Sequence, residues 1–434
     1  MKVLEYGTTQ VELIDRTIEV TRVGCKFSRV RSIEQQSFRG RAARAVVGGK
    51  LGHASSAGGD HGLSEDRLIH RAMEAAQVDV PASLSFPGSV ISITQADPIL
   101  SQMSESDLRD VAEDILRIIS RGQPGVAIEL EVRRVREFTG LRNSNGGQVN
   151  LSHVWLEGEA WVERHLRDDV FVVSDSFTSA RAGGSHREFA RRIARRLRWA
   201  RQPVKPQPGP QSVILSPGAF GSLLRPMLHR LNGTHAAPPA PRSSRRPAGF
   251  AGRIGQPLFD PRFSLSDDAT LPDRPRSAPV DHEGTPAQRT ALIERGVVKG
   301  FYHNLHSAAL AGAGRTGNGW RSMMEPPRPT PTSVVVGRGD TRLVDMLKRL
   351  NDGLLIDAVM NSDAAAGLRG DFSRTVALAY QVRHGRVTGF VRGVGAGGNL
   401  YKSLKQIEAL SCDGYWSDNL FAPYLQIGGV TITV

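Results

Sequence analysis

The chain is short of cysteine, lysine, aromatic residues and long apolar runs, and each shortage excludes something. Cys25 and Cys412 are the only cysteines in 434 residues. They lie far apart, and neither belongs to a CxxC or other ligand-pair spacing. A disulfide framework and a cysteine-cluster metal site are excluded, and free thiols in a reducing cytosol are expected. No apolar run approaches the roughly 18–20 residues that span a bilayer. The first six residues carry no apolar stretch of a secretory leader, so a cytoplasmic protein is expected. Aromatics make up 6% of the chain, with no aromatic platform of the kind that stacks RNA bases. Lysine supplies only eight of the 56 basic residues, so arginine carries the net charge of +13. GC-rich coding explains such a bias. A field that attracts acidic partners or nucleic acid is the other reading.

What is present is ample apolar material, 39% of residues, enough for two or three cores. Residues 11–57 read as a run of strands. Residues 17–23 alternate polar and apolar, and Gly48-Gly49 turns a hairpin between segments 41–47 and 50–55. Helices are predicted over 64–77, capped by Ser64, over 106–120, and over 185–200, where arginines cover the face away from an apolar stripe. Strands fill 126–136, 140–144 and two longer segments through 173. The proline-dense stretch 202–212 denies helix and central strand and reads as a linker. Beyond it, 213–215 is a strand, 220–231 a helix and 236–249 a loop. The remainder is short strands rich in glycine, with helices at 341–350 and 400–410. The expected architecture is α+β. An N-terminal mixed sheet with packed helices spans 1–201, and a mainly antiparallel β domain spans 213–434.

Short motifs stand in order along the second half: Asp267-Asp268-Ala269-Thr270, Val280-Asp281-His282-Glu283-Gly284, a Leu292–Phe301 strand, Thr316-Gly317-Asn318-Gly319-Trp320-Arg321, Gly370-Asp371-Phe372-Ser373, Gly398-Asn399-Leu400 and Pro423–Val430. The first half adds the hairpin Gly40–Gly52. In this order they resemble the TldD/PmbA family over essentially the whole chain. Each motif is short, but their shared order over about 180 residues is specific. His282 departs from the family pattern by replacing an acid.

The resemblance sharpens one helix. Catalytic members read Leu-Leu-His-Glu-x-x-x-His where this chain has Leu223-Leu224-Arg225-Pro226-Met227-Leu228-His229-Arg230. Such a helix needs two imidazoles on one zinc and a glutamate as general base. A five-residue spacing sets side chains about 140° apart on a regular helix, so convergence requires a widened turn. A guanidinium stays protonated and offers no lone pair. Pro226 is no base, and as a proline it belongs near a helix start.

The resemblance therefore implies the metal-free, TldE/PmbA-type subunit. Its partner would be a TldD-like zinc metallopeptidase, forming a heterodimer that hydrolyses a peptide or amide bond. No cofactor is expected in this chain, and zinc is expected in the partner. Candidates for the shared substrate chamber are Arg225, Arg230, Thr316, Asn318 and Arg321. The arginines would steer carboxylates; ordinary surface arginines are the other reading. Thr316-Gly317-Asn318 would capture peptide backbone or serve as a plain turn. The divergence hints at a pathway copy for natural-product biosynthesis. Two further readings stay open. One is a self-sufficient hydrolase with a displaced metal site built from His229, His235 and Cys412; the pair His303 and His306 points apart on an extended segment. The other is a basic nucleic-acid-associated regulator acting through the arginine-rich helix.

Overall fold

A computed structural model of the chain describes residues 9–58, 63–81, 84–95, 97–166, 169–236, 250–322, 325–360 and 369–434. Alternating apolar residues and tight glycine turns set the first half. Strands β1 (Gln10–Lys26), β2 (Arg29–Val47) and β3 (Lys50–Ala57) run as consecutive hairpins. Gly48 and Gly49, both at positive φ, form the two-residue turn that right-handed strand twist favours. After helix α1 (Glu65–Glu74) come β4 (Val78–Asp79), β5 (Val90–Gln95), α2 (Pro98–Gln102) and α3 (Glu105–Ser120). Then follow β6 (Val126–Asn143), β7 (Gln148–Leu166), β8 (Asp169–Ser179) and α4 (Ser185–Trp199). The strands form one eight-stranded sheet ordered β4-β3-β2-β1-β6-β7-β5, with β8 on β7 and only β5 parallel to its neighbour. Segments 126–136 and 140–144, expected as separate strands, are one strand, because Gly140 stays in register opposite Asp15 and Asn150.

Ser104 starts α3 with a capping box: its hydroxyl accepts from the Asp107 amide, and Asp107 accepts from the Ser104 amide at 2.7 Å. Leu108, Ile115, Phe189, Ile193 and Leu197 of α3 and α4 bury against Val23, Leu130, Val132 and Ala160 of the sheet. Each such side chain contributes about 1.5–3 kcal/mol. The same cluster runs on through Ile214, Leu355, Leu378 and Tyr380 of the second half. The core therefore crosses the boundary expected near residue 201.

The second half holds β9 (Gly209–Leu215), α5 (Pro217–Arg230), β10 (Leu265–Asp268), β11 (Arg289–Glu294) and β12 (Val297–Val298). Next come α6 (Leu305–Ala311), the small pair β13 (Gly319–Trp320) and β14 (Arg328–Pro329), β15 (Val334–Val336) and α7 (Leu343–Leu350). The chain ends with β16 (Gly353–Val359), β17 (Asp371–Arg383), β18 (Arg386–Val391), β19 (Val394–Asn399), α8 (Leu400–Ser403), β20 (Ala409–Ser417) and β21 (Leu420–Thr433). Eleven strands form its sheet. Within it β9 pairs with both β16 and β21, so β21-β19-β17-β16-β9 closes on itself.

Three expectations are corrected here. The stretch 202–212 is no free tether: Pro203 bridges to Phe390, and β9 begins at Gly209, with Pro210 opposite Thr431. Pro210 is tolerated there because it sits at the start of β9, where a missing donor costs little. The helix expected over 400–410 stops at Ser403, since the chain turns through Leu404–Gln406 to enter β20. Pro226 lies deep inside α5 rather than at its start. Its place is held by packing, with Leu223, Leu224, Met227 and Leu228 buried on both sides of it. The loop expected at 236–249 falls, apart from Ala236, outside the described residues.

Candidate functional site

Helix α5 is built to be held rigidly. Ser216 caps it, accepting from the Ala219 amide at 3.1 Å and donating to the Asp357 carbonyl at 2.8 Å. Pro217 follows at the first helical position, where its missing donor is harmless. At the other end Tyr302 donates to the Leu228 carbonyl at 3.1 Å. The Gly233 amide bonds to the Tyr302 carbonyl, and a Cβ on Gly233 would lie 2.2 Å from the His303 ring. What the helix shows to solvent is Arg225 and His229, one turn apart. Arg225 reaches within 4.0 Å of Asp418. Arg230 is half-buried, and its Nε is shielded without a hydrogen-bond partner.

Asp418 leads to a cleft of about 540 Å³ between the two halves. The first sheet contributes Arg16, Glu137, His153 and Trp155 on one face; the second half contributes Arg274, His282, Trp320, Arg321 and the Asp418 turn. A continuous ionic network closes the cleft floor. Arg16 binds Glu137 at 2.6 Å, and Arg321 binds Glu12 at 2.7 Å and the His282 carbonyl at 2.8 Å. Glu12 also binds Arg44 at 2.6 Å, and Arg44 reaches Glu283 at 2.5 Å. Burial works against the charge on Glu12, yet Arg44 and Arg321 outweigh it and hold its pKa below the usual carboxylate value. His282 is pushed well down, by burial first and then by Arg16, Arg321 and Arg276, so it stands as a neutral imidazole. Asp281 is pushed up by burial and by the charge of Glu283, while accepting backbone N–H bonds from Glu283, Thr285 and Gly319.

The expected site residues divide accordingly. Arg321 lines the cleft, whereas Arg225 lies outside it, 4.0 Å from the lining residue Asp418. Thr316 and Asn318 are not free to meet a peptide. Thr316 accepts from the His303 amide at 2.6 Å and donates to the His303 carbonyl. Asn318 donates to Asp267 at 2.6 Å and to the Thr330 carbonyl. Both are buried and held by these bonds. His303 and His306 do not lie on an extended segment: Asn304 caps α6 between them. His229 and His235 come together, with their Nε2 atoms 3.2 Å apart. Cys412 does not join them; its backbone pairs with Thr341 and Arg338 beside another surface pocket. Among the described residues no three His, Cys, Asp or Glu side chains are placed to hold a metal ion.

Sequence reading missed Glu12, Arg16 and Glu137. A signal existed in β1, where Glu12 and Arg16 interrupt a run of buried residues, on the same face two pleat repeats apart. Buried charges in a strand require partners; these are Arg44 opposite Glu12 on β2, Glu137 on β6, and Arg321 just past β13.

Residues 208–434 match the family model of the PmbA/TldA metallopeptidase C-terminal domain. The chain belongs to the PmbA/TldD family. An uncharacterized protein of Methanocaldococcus jannaschii is 27% identical over 307 residues, 69% of this chain and 66% of that one. The metalloprotease TldD homolog of Haemophilus influenzae is 26% identical over 224 residues, 50% of this chain and 45% of that one. These matches span less than two thirds of the relatives' own length. Among solved structures, TldE from Thermococcus kodakarensis superposes with a TM-score of 0.84 at 19% identity, covering 98% of this chain and 97% of that one. A putative modulator of a DNA gyrase from Thermotoga maritima gives 0.81 at 16% identity, covering 98% and 96%. The α+β fold expected from sequence is thus the TldE/TldD fold. Zinc, which the family's name implies, does not fit α5: the guanidiniums of Arg225 and Arg230 offer no lone pair and Pro226 offers no base. Among the described residues no helix is long and apolar enough to cross a membrane.

Proposed function

We propose that this chain is the non-catalytic, TldE-like half of a heterodimer whose other half is a TldD-like zinc metallopeptidase. The pair would hydrolyse a peptide or amide bond in the cytoplasm, with the hydrolytic zinc held by the partner. One observation carries the reading. α5 is capped, packed and pinned like a working helix, yet its three chemistry-bearing positions are Arg225, Pro226 and Arg230. Idle debris would not need Ser216 and Tyr302 fixing both ends. Arg225, exposed on α5 and 4.0 Å from Asp418 of the cleft, supplies a positive charge that would draw a peptide carboxylate toward the shared chamber. The divergence at Arg225, Pro226, Arg230 and His282 suits a specialised copy serving natural-product biosynthesis. The nucleic-acid reading loses two of its arginines: Arg192 is paired with Asp175, and Arg196 is buried between Asp175 and Asp357.

The test is co-expression with a TldD-like partner, followed by size-exclusion chromatography and peptidase assay of the complex and of each half. A stable one-to-one complex with activity that neither half shows alone supports the proposal. Two proteins that elute apart, or full activity from the partner alone, would overturn it.

A further inference from the structure

At the C-terminal end of α5 two imidazoles meet. His229 Nε2 lies 3.2 Å from His235 Nε2, with ring centroids 4.8 Å apart and planes at 70°. His229 is exposed on the solvent face of α5, and His235 is half-buried in the 3₁₀ turn Gly233–His235. That turn is fixed from several sides. The Asn232 side chain accepts from the Thr234 amide at 2.9 Å and donates to the Pro329 carbonyl at 3.1 Å. The backbone therefore presents His235 to His229 at no further cost in ordering.

Two arrangements bring imidazole nitrogens this close: a hydrogen bond between them, or convergence on a common point. The ring separation tells them apart. A near-linear N–H···N bond of this length puts the ring centres about 5.5 Å apart, because both ring axes lie along it. Two nitrogens bound to one tetrahedral ion at about 2.0–2.1 Å are about 3.3 Å apart, with ring centres about 5.2 Å apart. The observed nitrogen separation suits both arrangements, but the ring centres, 4.8 Å apart with planes at 70°, are drawn in to an angle that a linear bond does not give and lie nearer the second pattern.

We propose that His229 and His235 form a two-nitrogen site for a late first-row divalent ion: copper, nickel or zinc. Imidazole suits these ions and is a poor match for magnesium or calcium. The site is displaced from the family's metal positions. It also lacks their base, because Pro226 stands in the glutamate's place, so it binds an ion without becoming a hydrolase. No third His, Cys, Asp or Glu among the described residues completes it, which leaves coordination positions open to an incoming ligand. A peptide carboxylate fits them, since Arg225 lies one turn back on the same face and Arg230 is the next residue in the chain. This choice of ligand rests on the reading that peptides reach this face; the ion site itself does not.

The test uses the isolated, untagged chain. Cu²⁺ is titrated with electron paramagnetic resonance, and Zn²⁺ with calorimetry. One ion per chain and nitrogen hyperfine structure from two imidazoles are expected. His229→Ala should weaken binding about tenfold or more and remove one nitrogen from the spectrum. His229 is exposed, so this variant folds, and it decides the matter even where His235→Ala does not. Arg230→Gln, by removing a neighbouring cation, should tighten binding about two- to five-fold at low salt. No saturable binding in the parent chain, or an unchanged spectrum and affinity in His229→Ala, would overturn the proposal. Failure to assemble with a metallopeptidase would strike the heterodimer reading and leave these titrations as they are.

Discussion

Arg44→Met is the sharpest test of how the two halves are joined. Arg44 is 3% exposed, and its partners Glu12 and Glu283 are fully buried. Its guanidinium donates to Glu12 at 2.9 and 2.6 Å and to Glu283 at 2.5 Å. After the substitution Glu12 keeps Arg321 at 2.7 Å, but among the described residues Glu283 keeps only the Leu305 amide as a hydrogen-bond partner, at 2.8 Å, with Arg321 acting on it from farther off. A buried carboxylate stripped of its cation costs about 3–5 kcal/mol, far more than the pair's net contribution when intact. Glu12 and Arg44 belong to the first sheet, and Glu283 and Arg321 to the second half, so the loss falls on the seam. Urea unfolding followed by circular dichroism and tryptophan fluorescence measures it. Trp155 and Trp320 in the cleft report on the seam itself. We expect a lower midpoint and transitions that no longer coincide. Adding Glu283→Gln should restore part of the loss by removing the stranded charge. The exposed pair Arg109–Glu113 is the control, and Arg109→Ala should change little. A loss below about 1 kcal/mol for Arg44→Met, with coincident transitions, would refute the reasoning.

Other predictions follow from single contacts. His282 stays neutral in the fold while the unfolded chain takes up its proton below about pH 6.5. Its share of stability is therefore intact above that pH and drains as pH falls toward its depressed folded value; His282→Gln should flatten the stability profile between about pH 6.5 and 5, and an unchanged profile would count against a buried neutral imidazole. Gly233→Ala forces a methyl to within 2.2 Å of the His303 ring, and should cost about 1–3 kcal/mol in denaturant unfolding; a neutral result would mean the turn is looser than described. In the assembled heterodimer, Arg225→Ala should raise KM for peptides with a free carboxylate while leaving kcat alone, because steering acts before chemistry. An equal effect on amidated peptides would remove the steering role.

Much of the fold could be read from the chain. Alternation gave the first hairpins, Ser64 and the apolar spacing after it gave α1, and ordered motifs tied the second half to a family. What could not be read was long-range. Nothing local told that Gly140 would continue a strand, since its register is imposed by β1 and β7. Leu400–Leu410 has helical spacing, but tertiary pairing of Ala409 and Leu410 with β21 overrides it. For the candidate site, the inability of α5 to hold a metal was legible because Arg225, Pro226 and Arg230 carry no ligand lone pair or base. The meeting of His229 with His235 depends on a 3₁₀ turn, and the roles of Thr316 and Asn318 as fasteners depend on His303 and Asp267, which no spacing rule connects to them.

The central claim is that α5 is a preserved helix without its hydrolytic centre, completed by a partner. Peptidase assay of the purified heterodimer, reconstituted from separately purified halves, tests it most directly. The account predicts activity that appears on mixing, saturates at one to one, and survives His229→Ala in this chain. Peptide hydrolysis by this chain alone, proportional to its concentration and abolished by His229→Ala, would contradict it.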